Sequence, residues 1–455
     1  MPRLIQDIDM DEILDNLRYL IEAEQTNFAL SLIADLHPSD IAEIISRLNE
    51  EERPVIFSLL PPEQASEVLV ELGDNAMEDV LEEMDSRQIA EMVNEMDSDD
   101  AADIISELPP EQAAEVLEQV EDESSEDIQE LLTYPEDTAG GIMAKEFVSV
   151  PTGTTVQMTI EEIRRKHDEI ENIYYCFVTD AFGTLLGSVS LRSLILASPD
   201  TPVESIMDQD LVKIDVSLDQ EEVARIFKKY DLVVAPVVNQ RNRLLGRITI
   251  DDIVDVIHEE QEEDLARMAG TGTEEILEDS VFQVTKARLP WLILSFLGEL
   301  ISAFILSSFS ATMERIIISA FFIPIVMAMG GSTGQQTSII VVRGIATGEI
   351  AFSDTGRRVF RELRVALLNG LVLGLLIFGL ISLWQKDYIF AATLAITLQV
   401  ILINASIVGA VVPLLFKEIK VDPALATGPF INTFNDVVGL FIYFSLLTLG
   451  FEFIL

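Results

Sequence analysis

Five apolar spans in the second half of the chain constrain its fold more than any other feature. Each is about 19–29 residues long, and about 20 apolar residues suffice to cross a bilayer as a helix. Inside lipid only helices and closed barrels satisfy their own backbone hydrogen bonds, so the spans predict five transmembrane helices. They cover residues 291–309, 318–342, 365–384, 388–416 and 424–450.

Basic residues in the short segments that flank these spans are distributed unevenly. Nine fall on one side of the membrane, and only Arg315 and Lys386 fall on the other. Because Lys and Arg concentrate in cytoplasmic loops, this asymmetry predicts a cytoplasmic N-terminal region and a C-terminus outside the cell, in the cell (inner) membrane. The nine are Lys286, Arg288, Arg343, Arg357, Arg358, Arg361, Arg364, Lys417 and Lys420.

Polar groups interrupt two of the spans. The fifth contains Asp436, and a charge at the bilayer centre costs at least ~2.5 kcal/mol on insertion scales. The second contains Gly, Ser, Thr and Gln over residues 330–338, and small residues let helices approach closely. These two helices are predicted to line a water-filled ion path. Glu299, in the first span, is a second intramembrane carboxylate that is protonated, paired or part of the same path, and the sequence leaves these alternatives open.

The first 280 residues are strongly acidic. They carry 18 Lys and Arg against 68 Asp and Glu, a net charge of −50, whereas residues 281–455 carry 11 and 10. Such an excess repels itself in a compact region, so we expect counter-cations to be required. Nucleic acid is excluded as a partner because its phosphates would be repelled as well.

The cysteine and histidine content limits the remaining chemistry. Cys176 is the single cysteine, so no disulfide forms within one chain, as in a reducing compartment. Three histidines in three different segments argue against a Zn or Cu site and leave oxygen ligands, which suit Mg, Ca or Mn. The amphipathic, acidic N-terminus lacks the apolar segment of a signal peptide, and no nucleophile–base constellation predicts an enzyme.

Residues 36–131 form eight repeats of twelve residues, exemplified by LPPEQASEVLVE and LPPEQAAEVLEQ. Each repeat resembles a turn with a Pro or capping residue followed by a two-turn helix. Helices that short do not hold alone, so stacking of neighbours must supply the core, as in solenoids. The ninth position is apolar in all eight repeats: Ile44, Ile56, Val68, Val80, Met92, Ile104, Val116 and Ile128.

Two copies of an α/β module follow the repeats. Each has an apolar strand, a polar turn, a second strand that starts at a glycine (Gly187, Gly246) and a helix. The pair resembles tandem CBS domains, which bind adenine nucleotides through a Gly, a Ser or Thr, and an Asp three residues further on. The second copy keeps this motif as Gly246, Thr249 and Asp252, whereas the first has Ser193 in place of the Asp.

The helix after the second copy gathers carboxylates on one stripe. Asp252, Asp255, Glu259, Glu263 and Asp264 recur largely at i,i+3 and i,i+4 spacing. Like charges at this spacing destabilise a helix by a few tenths of a kcal/mol per pair. The stripe is either a solvated linker face or, as we favour, a contact for divalent ions.

Taken together, these parts resemble the MgtE family of magnesium channels, most sharply in GGSTGQQTSIIVVRGIATG and VDPALATGPFINTFNDVVGL. The resemblance implies a multi-domain membrane protein with an all-α superhelical repeat domain, α/β tandem CBS domains and a five-helix transmembrane domain. It also implies a homodimer in the lipid bilayer whose pore is lined by the second and fifth spans. The implied boundaries are 1–135 for the repeat domain, 136–200 and 201–257 for the CBS domains, 258–285 for the connecting (plug) helix and linker, and 286–455 for the pore domain.

The resemblance further assigns residues to ion sites. Asp436 matches the pore aspartate and Asp422 a second acidic site at the mouth, with Gly331, Ser332 and Asn432 lining the pore; Ser332 stands where Asn is common in the family. The cytoplasmic magnesium ligands that it implies are Asp99, Asp103, Glu221, Asp231, Asp252, Asp255, Glu260, Glu263 and Asp264.

These assignments predict a channel that imports Mg²⁺ down its electrochemical gradient, since no nucleotide-hydrolysing P-loop is present. Mg²⁺ bound to the acidic cytoplasmic domains would offset their repulsion and close the pore, which gives feedback control. Adenine nucleotide is a further ligand implied for the CBS pair. Two alternatives remain from the sequence: transport of Mn²⁺ or Co²⁺ instead, and a membrane sensor or scaffold without ion flux.

Overall fold

The computed structural model describes residues 10–23, 25–167, 170, 172–271, 281–347, 350 and 355–452. Residues 1–9 of the predicted repeat domain and residues 272–280 of the predicted linker lie outside the described residues. The chain forms two compact units, Met1–His258 and Glu259–Leu455. Each unit has its own architecture.

The first unit begins with short helices, one for each twelve-residue repeat from residue 36 onwards. Two further helices, α1 (Met10–Glu22) and α2 (Thr26–Ile33), precede them. Several helices start as predicted: Pro occupies the first turn of four of them, and Asp85 caps another through a capping box with Gln88. The repeat helices are α3 (Pro38–Ser46), α4 (Arg53–Phe57), α5 (Pro62–Val70), α6 (Asp74–Glu82), α7 (Ser86–Val93), α8 (Ser98–Glu107), α9 (Pro110–Leu117) and α10 (Asp122–Leu131).

Stacking of alternate helices builds the repeat core. Helix α3 packs on α5, α5 on α7 and α7 on α9, while α4 packs on α6 and α8 on α10. The apolar ninth positions all face inward, with at most 3% of each side chain exposed. The predicted solenoid is confirmed, and its core is continuous with that of the second α/β module, where Val223 and Phe227 are buried in the same cluster.

The two α/β modules have the same topology. Each three-stranded sheet has a parallel pair followed by an antiparallel pair, in the orders β1-β2-β3 and β4-β5-β6. The first contains β1 (Ser149–Pro151), α11 (Val156–Arg165), β2 (Tyr175–Thr179), β3 (Leu185–Ser190) and α12 (Leu191–Leu196). The second contains β4 (Ile214–Asp215), α13 (Gln220–Tyr230), β5 (Val234–Val238), β6 (Leu244–Thr249) and α14 (Ile250–Ala269).

The two sheets share a geometry that explains why each β-hairpin contains a glycine. A Cβ on Gly246 would lie 2.5 Å from the carbonyl oxygen of Ala144, and one on Gly187 would lie 2.6 Å from that of Asp208. Each glycine therefore lets the opening segment of the other copy run against its sheet. The modules are interlocked by these two exchanged segments, which fits the predicted tandem pairing.

Within its described residues, the second unit contains five helices long and apolar enough to cross a membrane, as the sequence predicts. The protein is therefore a multi-pass membrane protein. These helices are α15 (Val281–Ser308), α17 (Ile323–Ala346), α18 (Thr355–Trp384), α19 (Tyr388–Glu418) and α20 (Gly428–Glu452), with the short helix α16 (Ser310–Arg315) and two 3₁₀ helices (Ile317–Phe322, Pro423–Ala426) between them.

Small residues set the packing of these helices. Helix α17 packs on α19 and α20, and α15 packs on α20. A Cβ on Gly409 of α19 would clash with the carbonyl oxygen of Gly334 on α17, and a Cβ on Gly334 would clash with the Asn435 side chain of α20. Glycine at these two positions lets α17 approach both neighbouring helices closely. The polar run in the second span thus serves close packing on this face, as small residues do in membrane helices.

Replacing the buried Ile44 with Ala should lower the free energy of unfolding by about 2–5 kcal/mol, because a cavity forms where helices stack. Ile44 is fully buried, whereas Val70 on α5 is 41% exposed and serves as the control. Urea unfolding of the full-length protein, followed by circular dichroism, compares Ile44→Ala with Val70→Ala. Equal losses in the two variants would contradict the stacked-core assignment.

Candidate ion-binding sites

An acidic cluster forms at the start of α8 in the first unit. Asp97 precedes the helix, Asp99 lies in its first turn, and Glu146 approaches from the segment that opens the first α/β module. One carboxylate oxygen from each of these three residues lies within 4.8 Å of the others. Three carboxylates this close repel one another unless a cation or protons lie between them.

Hydrogen bonds hold most of this cluster in place. The backbone amide and hydroxyl of Ser98 both donate to Glu146 Oε2, at 3.2 and 2.9 Å. Asp97 forms an ion pair with the buried Arg247, with Oδ2 and Nη2 3.3 Å apart. The side chain of Asp99 is different: only 8% of the residue is exposed, and its Oδ1 has no hydrogen-bond partner in the described chain.

The second α/β module brings a further carboxylate toward the cluster. Asp252, in the first turn of α14, accepts hydrogen bonds from the backbone amide and hydroxyl of Thr249, at 2.9 and 2.7 Å. Its charge acts on both Asp99 and Asp100. The structure therefore gathers Asp99 and Asp252, both predicted as ligands, although they are separated by more than 150 residues of sequence.

Burial and mutual repulsion raise the pKa values of the aspartates in this cluster. Burial, and then the charge of Asp100, raises the pKa of Asp99 well above its ordinary value. Burial, and then the charge of Asp252, raises the pKa of Asp100 to about 8. Burial also raises the pKa of Asp252, in spite of its hydrogen bonds to Thr249. Oxygen donors packed this closely fit a hard divalent cation, and the free Oδ1 of Asp99 offers it a ligand.

Other predicted cytoplasmic ligands lie apart from this cluster. Asp103 is exposed on α8, and its charge reaches Asp100. Glu221 starts α13 and pairs with Arg225, whereas Asp231 caps the other end of that helix with a left-handed backbone. These two are separated by about 15 Å of helix, so they do not meet within one chain. Asp255 faces Glu71, and burial followed by that charge raises the pKa of Asp255.

A cavity of about 370 Å³ lies among the membrane-spanning helices of the second unit. Asp436 and Asn432, both predicted as pore residues, line it, and Glu299 lines it from α15. Of the other predicted lining residues, Gly331 approaches Asn432, whose Oδ1 would be 3.3 Å from a Cβ there, and Ser332 is exposed on α17. The remaining lining residues are Met268, Ala269, Ser295, Gln335, Gly428, Pro429 and Thr433.

The last turn of α14 contributes Met268 and Ala269 to the lining of this cavity. Arg267 forms ion pairs with Asp422 and with Glu263, and its charge is also felt by Glu260. A Cβ on Gly428 would lie 2.4 Å from the carbonyl oxygen of Met268, so the start of α20 and the end of α14 are in close contact. The guanidinium group of Arg267 thus pairs with two predicted metal ligands, Glu263 and Asp422.

Sequence reasoning missed several of these residues. Asp97 and Asp100 flank predicted ligands, and their place at a helix start was a usable signal. Glu146 and Arg267 carried no such signal, because their partners lie far away in the sequence.

Comparison with known proteins follows the same division of the chain. The family model described as a divalent cation transporter matches residues 323–446, that of the MgtE intracellular N domain matches 36–137, and that of the CBS domain matches 139–200 and 203–259. A protein named magnesium transporter MgtE from Thermus thermophilus is 34% identical over 442 residues, which are 96% of this chain and 98% of that protein. The chain belongs to the MgtE family.

Two further MgtE relatives are similar over nearly their whole length. The magnesium transporter MgtE of Bacillus subtilis is 32% identical over 98% of this chain and 99% of its own. That of Enterococcus faecalis is 36% identical over 96% and 97%. The family is one of transporters.

Solved structures match the first unit. The soluble part of a magnesium transporter covers 55% of this chain and 99% of its own, with 33% identity and a TM-score of 0.50. The cytosolic domain of the Mg²⁺ channel MgtE, in complex with ATP, covers 53% and 99%, with 34% identity and a TM-score of 0.51. These matches confirm the predicted order of a repeat domain and a CBS pair.

The first unit of this MgtE protein should lose stability as pH rises from about 4 to about 8. The raised pKa values of Asp99 and Asp100 mean that the folded protein binds protons in this window that the unfolded chain, with Asp pKa of about 4, does not. The free energy of unfolding therefore falls as these protons leave, and Mg²⁺ should restore more stability at about pH 8 than at about pH 5.5.

Thermal unfolding of the full-length protein, with and without Mg²⁺, tests this at both pH values. Asp99→Asn should flatten the pH dependence and weaken the Mg²⁺ effect, whereas Glu67→Gln, at an exposed site on α5, should change neither. A Mg²⁺ effect that is the same at both pH values would rule out these carboxylates as its source.

Proposed function

We propose that this protein is a channel that carries Mg²⁺ across the membrane down its electrochemical gradient. The observation that carries the proposal is the cavity among the membrane helices, with Asp436 on its wall beside the neutral groups of Asn432, Thr433 and Gln335. Mg²⁺ gives up its water reluctantly. A carboxylate surrounded by amide and hydroxyl groups suits a hydrated ion, which it attracts without binding too tightly to release.

The proposed conducting form is a homodimer. Asp436 is only partly buried in the single chain, so its carboxylate remains accessible to an ion held between two copies. A two-fold axis would place two Asp436 side chains around one path, which doubles the attraction for a divalent ion and favours it over a monovalent one. The N-terminal region lies in the cytoplasm and the C-terminus outside in this proposal, as the basic flanking residues predict.

We infer that cytoplasmic Mg²⁺ closes this channel. The ion is held by Asp99 and Asp252, with Asp97, Asp100 and Glu146 around them. The ion thereby joins ligands from the repeats and from the second α/β module at the start of α14. The last turn of the same helix lines the cavity through Met268 and Ala269 and pairs with Asp422 through Arg267. Without the ion, repulsion separates the carboxylates and releases the helix. Supporting this is the buried Asp99, whose Oδ1 has no hydrogen-bond partner in the described structure.

Adenine nucleotide is proposed as a second ligand, at the second CBS module. Its motif residues are Gly246, Thr249 and Asp252, and the structure of a related cytosolic domain contains ATP. Asp252 belongs to this motif and also to the acidic cluster. In the first module Ser193 hydrogen-bonds Ser190 at 2.9 Å, where the motif has an aspartate, so nucleotide is assigned to the second module.

Mg²⁺ influx into proteoliposomes should be lost in Asp436→Asn, because the neutral amide keeps the shape of the site but removes the charge that attracts the ion. Wild-type protein under low Mg²⁺ on the cytoplasmic side should conduct. Glu418→Gln, which neutralises an exposed carboxylate at the end of α19, is the matched control and should conduct like the wild type.

Equal influx in the wild type and in Asp436→Asn would make Asp436 a packing residue. No influx in any variant, with nucleotide binding retained, would favour a sensor or scaffold. Competition by Mn²⁺ or Co²⁺ in the same assay separates the cations.

Arg267→Gln should raise the cytoplasmic Mg²⁺ concentration needed for closure by about fivefold, because a part-exposed ion pair contributes up to about 1 kcal/mol. The variant loses the pairs that hold the end of α14 to Asp422. Influx measured at graded Mg²⁺ gives the closing concentration. Arg87→Gln, which removes a comparable surface pair with Glu91, is the control. Closure at lower Mg²⁺ would contradict a stabilising role for the Arg267–Asp422 pair. It would indicate instead that Arg267 competes with the ion for the carboxylates.

A further inference from the structure

Glu299 is an acidic residue within the first membrane-spanning helix. It lies in the span Val284–Ser308 and lines the same cavity as Asp436. The carboxyl groups of Glu299 and Asp436 are close enough to interact directly. Two carboxylates from two different helices are thus brought to one point inside the membrane-spanning part.

The packing of α15 on α20 brings the carboxyl groups of Glu299 and Asp436 together. Gly298 lies against Thr433 so closely that a Cβ on Gly298 would be 1.8 Å from the Thr433 methyl group. One residue further along α15 is Glu299, and one turn earlier Ser295 lines the same cavity. On α20, Asn432 and Asp436 are likewise one turn apart. The two helices therefore place matching polar faces, each with one carboxylate, on the cavity.

No basic side chain among the described lining residues balances these two carboxyl groups. None of the ten residues that line the cavity is Lys, Arg or His. A carboxylate in the membrane is costly and is usually retained for an ion path or with a partner of opposite charge. With no such side chain among the lining residues, the two carboxyl groups are neutralised by a proton shared between them or by a cation, and a permeating cation can take the place of the proton.

We propose that Glu299 is a second ion-binding residue of the pore, so that each chain presents two carboxylates, Glu299 and Asp436, to the hydrated divalent cation. This inference rests on the proposed function, in which Asp436 binds the permeating ion. The additional charge strengthens capture of the ion at low concentration. It also increases the preference for divalent over monovalent cations, because attraction scales with the charge of the ion.

Neutral variants of Glu299 test this assignment in the full-length protein reconstituted into liposomes. Glu299→Gln should raise the half-saturating Mg²⁺ concentration for influx by roughly tenfold, the size of effect seen when a group supporting a metal site is removed. The ratio of Mg²⁺ to Na⁺ flux should fall as well. Glu299→Leu, which suits a membrane helix, is a second neutral variant and should shift both quantities in the same direction if Glu299→Gln does not fold.

Two variants separate charge from structure. Glu299→Asp keeps the carboxylate and should stay within about twofold of the wild type. Glu314→Gln neutralises an exposed carboxylate on α16 and should leave influx unchanged. A merely structural role would lower the flux of every ion equally and leave the half-saturating concentration and the Mg²⁺ to Na⁺ ratio alone.

The outcomes distinguish this inference from the proposed function. Unchanged affinity and selectivity in both neutral variants, together with loss of influx in Asp436→Asn, would overturn the role of Glu299 alone. Wild-type influx in Asp436→Asn would overturn the proposed pore itself, and the inference with it. A shift in both quantities that Glu299→Asp reverses establishes the second carboxylate.

Discussion

Repulsion between carboxylates that lack basic partners is the constraint on which the rest of this structure depends. In the first unit, Asp97 is paired with Arg247, but Asp99 is buried with one oxygen unpartnered. Removing a charged carboxylate from water without compensation costs several kcal/mol. The folded state can retain such a group only by taking up a proton or a cation. In the proposed function, this requirement makes the first unit responsive to the concentration of divalent ions.

The carboxylates of the membrane-spanning part have a different environment from those of the first unit. The cavity carries carboxylates too, but its walls also contain the amides of Asn432 and Gln335 and the hydroxyl of Thr433, and Asp436 is only partly buried. Neutral oxygens and nitrogens can hydrogen-bond the water shell of a hydrated ion. In the proposed function, a regulatory site must hold its ion, whereas a conducting site must release it. The greater burial of Asp99 compared with Asp436 agrees with that proposed division.

The sequence predicted the architecture well because its signals are periodic. A twelve-residue period with an apolar ninth position predicted the stacked helices, and each of those positions is buried. The membrane spans were visible from length and polarity alone. The ion sites were harder, because they depend on side chains brought together by tertiary packing. Glu146 meets Asp97 and Asp99 only because the opening segment of one α/β module crosses to the sheet of the other.

Some predicted residues also separate for physical reasons. Glu221 and Asp231 are both carboxylates predicted to bind a cation, but they occupy opposite ends of α13. The length of this helix keeps them apart. Arg267 was hidden for the opposite reason: its partner Asp422 lies 155 residues away, and acidic residues surround it in the sequence. From the sequence alone, a single basic residue among acidic ones is interpreted as solvent-exposed. Its ion pair with a distant carboxylate becomes visible only in the structure.

The number of regulatory sites follows from the free energy that gating requires. Turning a 1:99 equilibrium into 99:1 takes about 5.5 kcal/mol of differential binding. One site that binds only the closed state supplies about 2.7 kcal/mol when the ion is present at 100 times its dissociation constant. A single acidic cluster would therefore give graded closure over a wide range of concentration. Sharp closure needs at least two sites acting on one equilibrium, and a chain whose first 280 residues carry a net charge of −50 has the carboxylates to provide them.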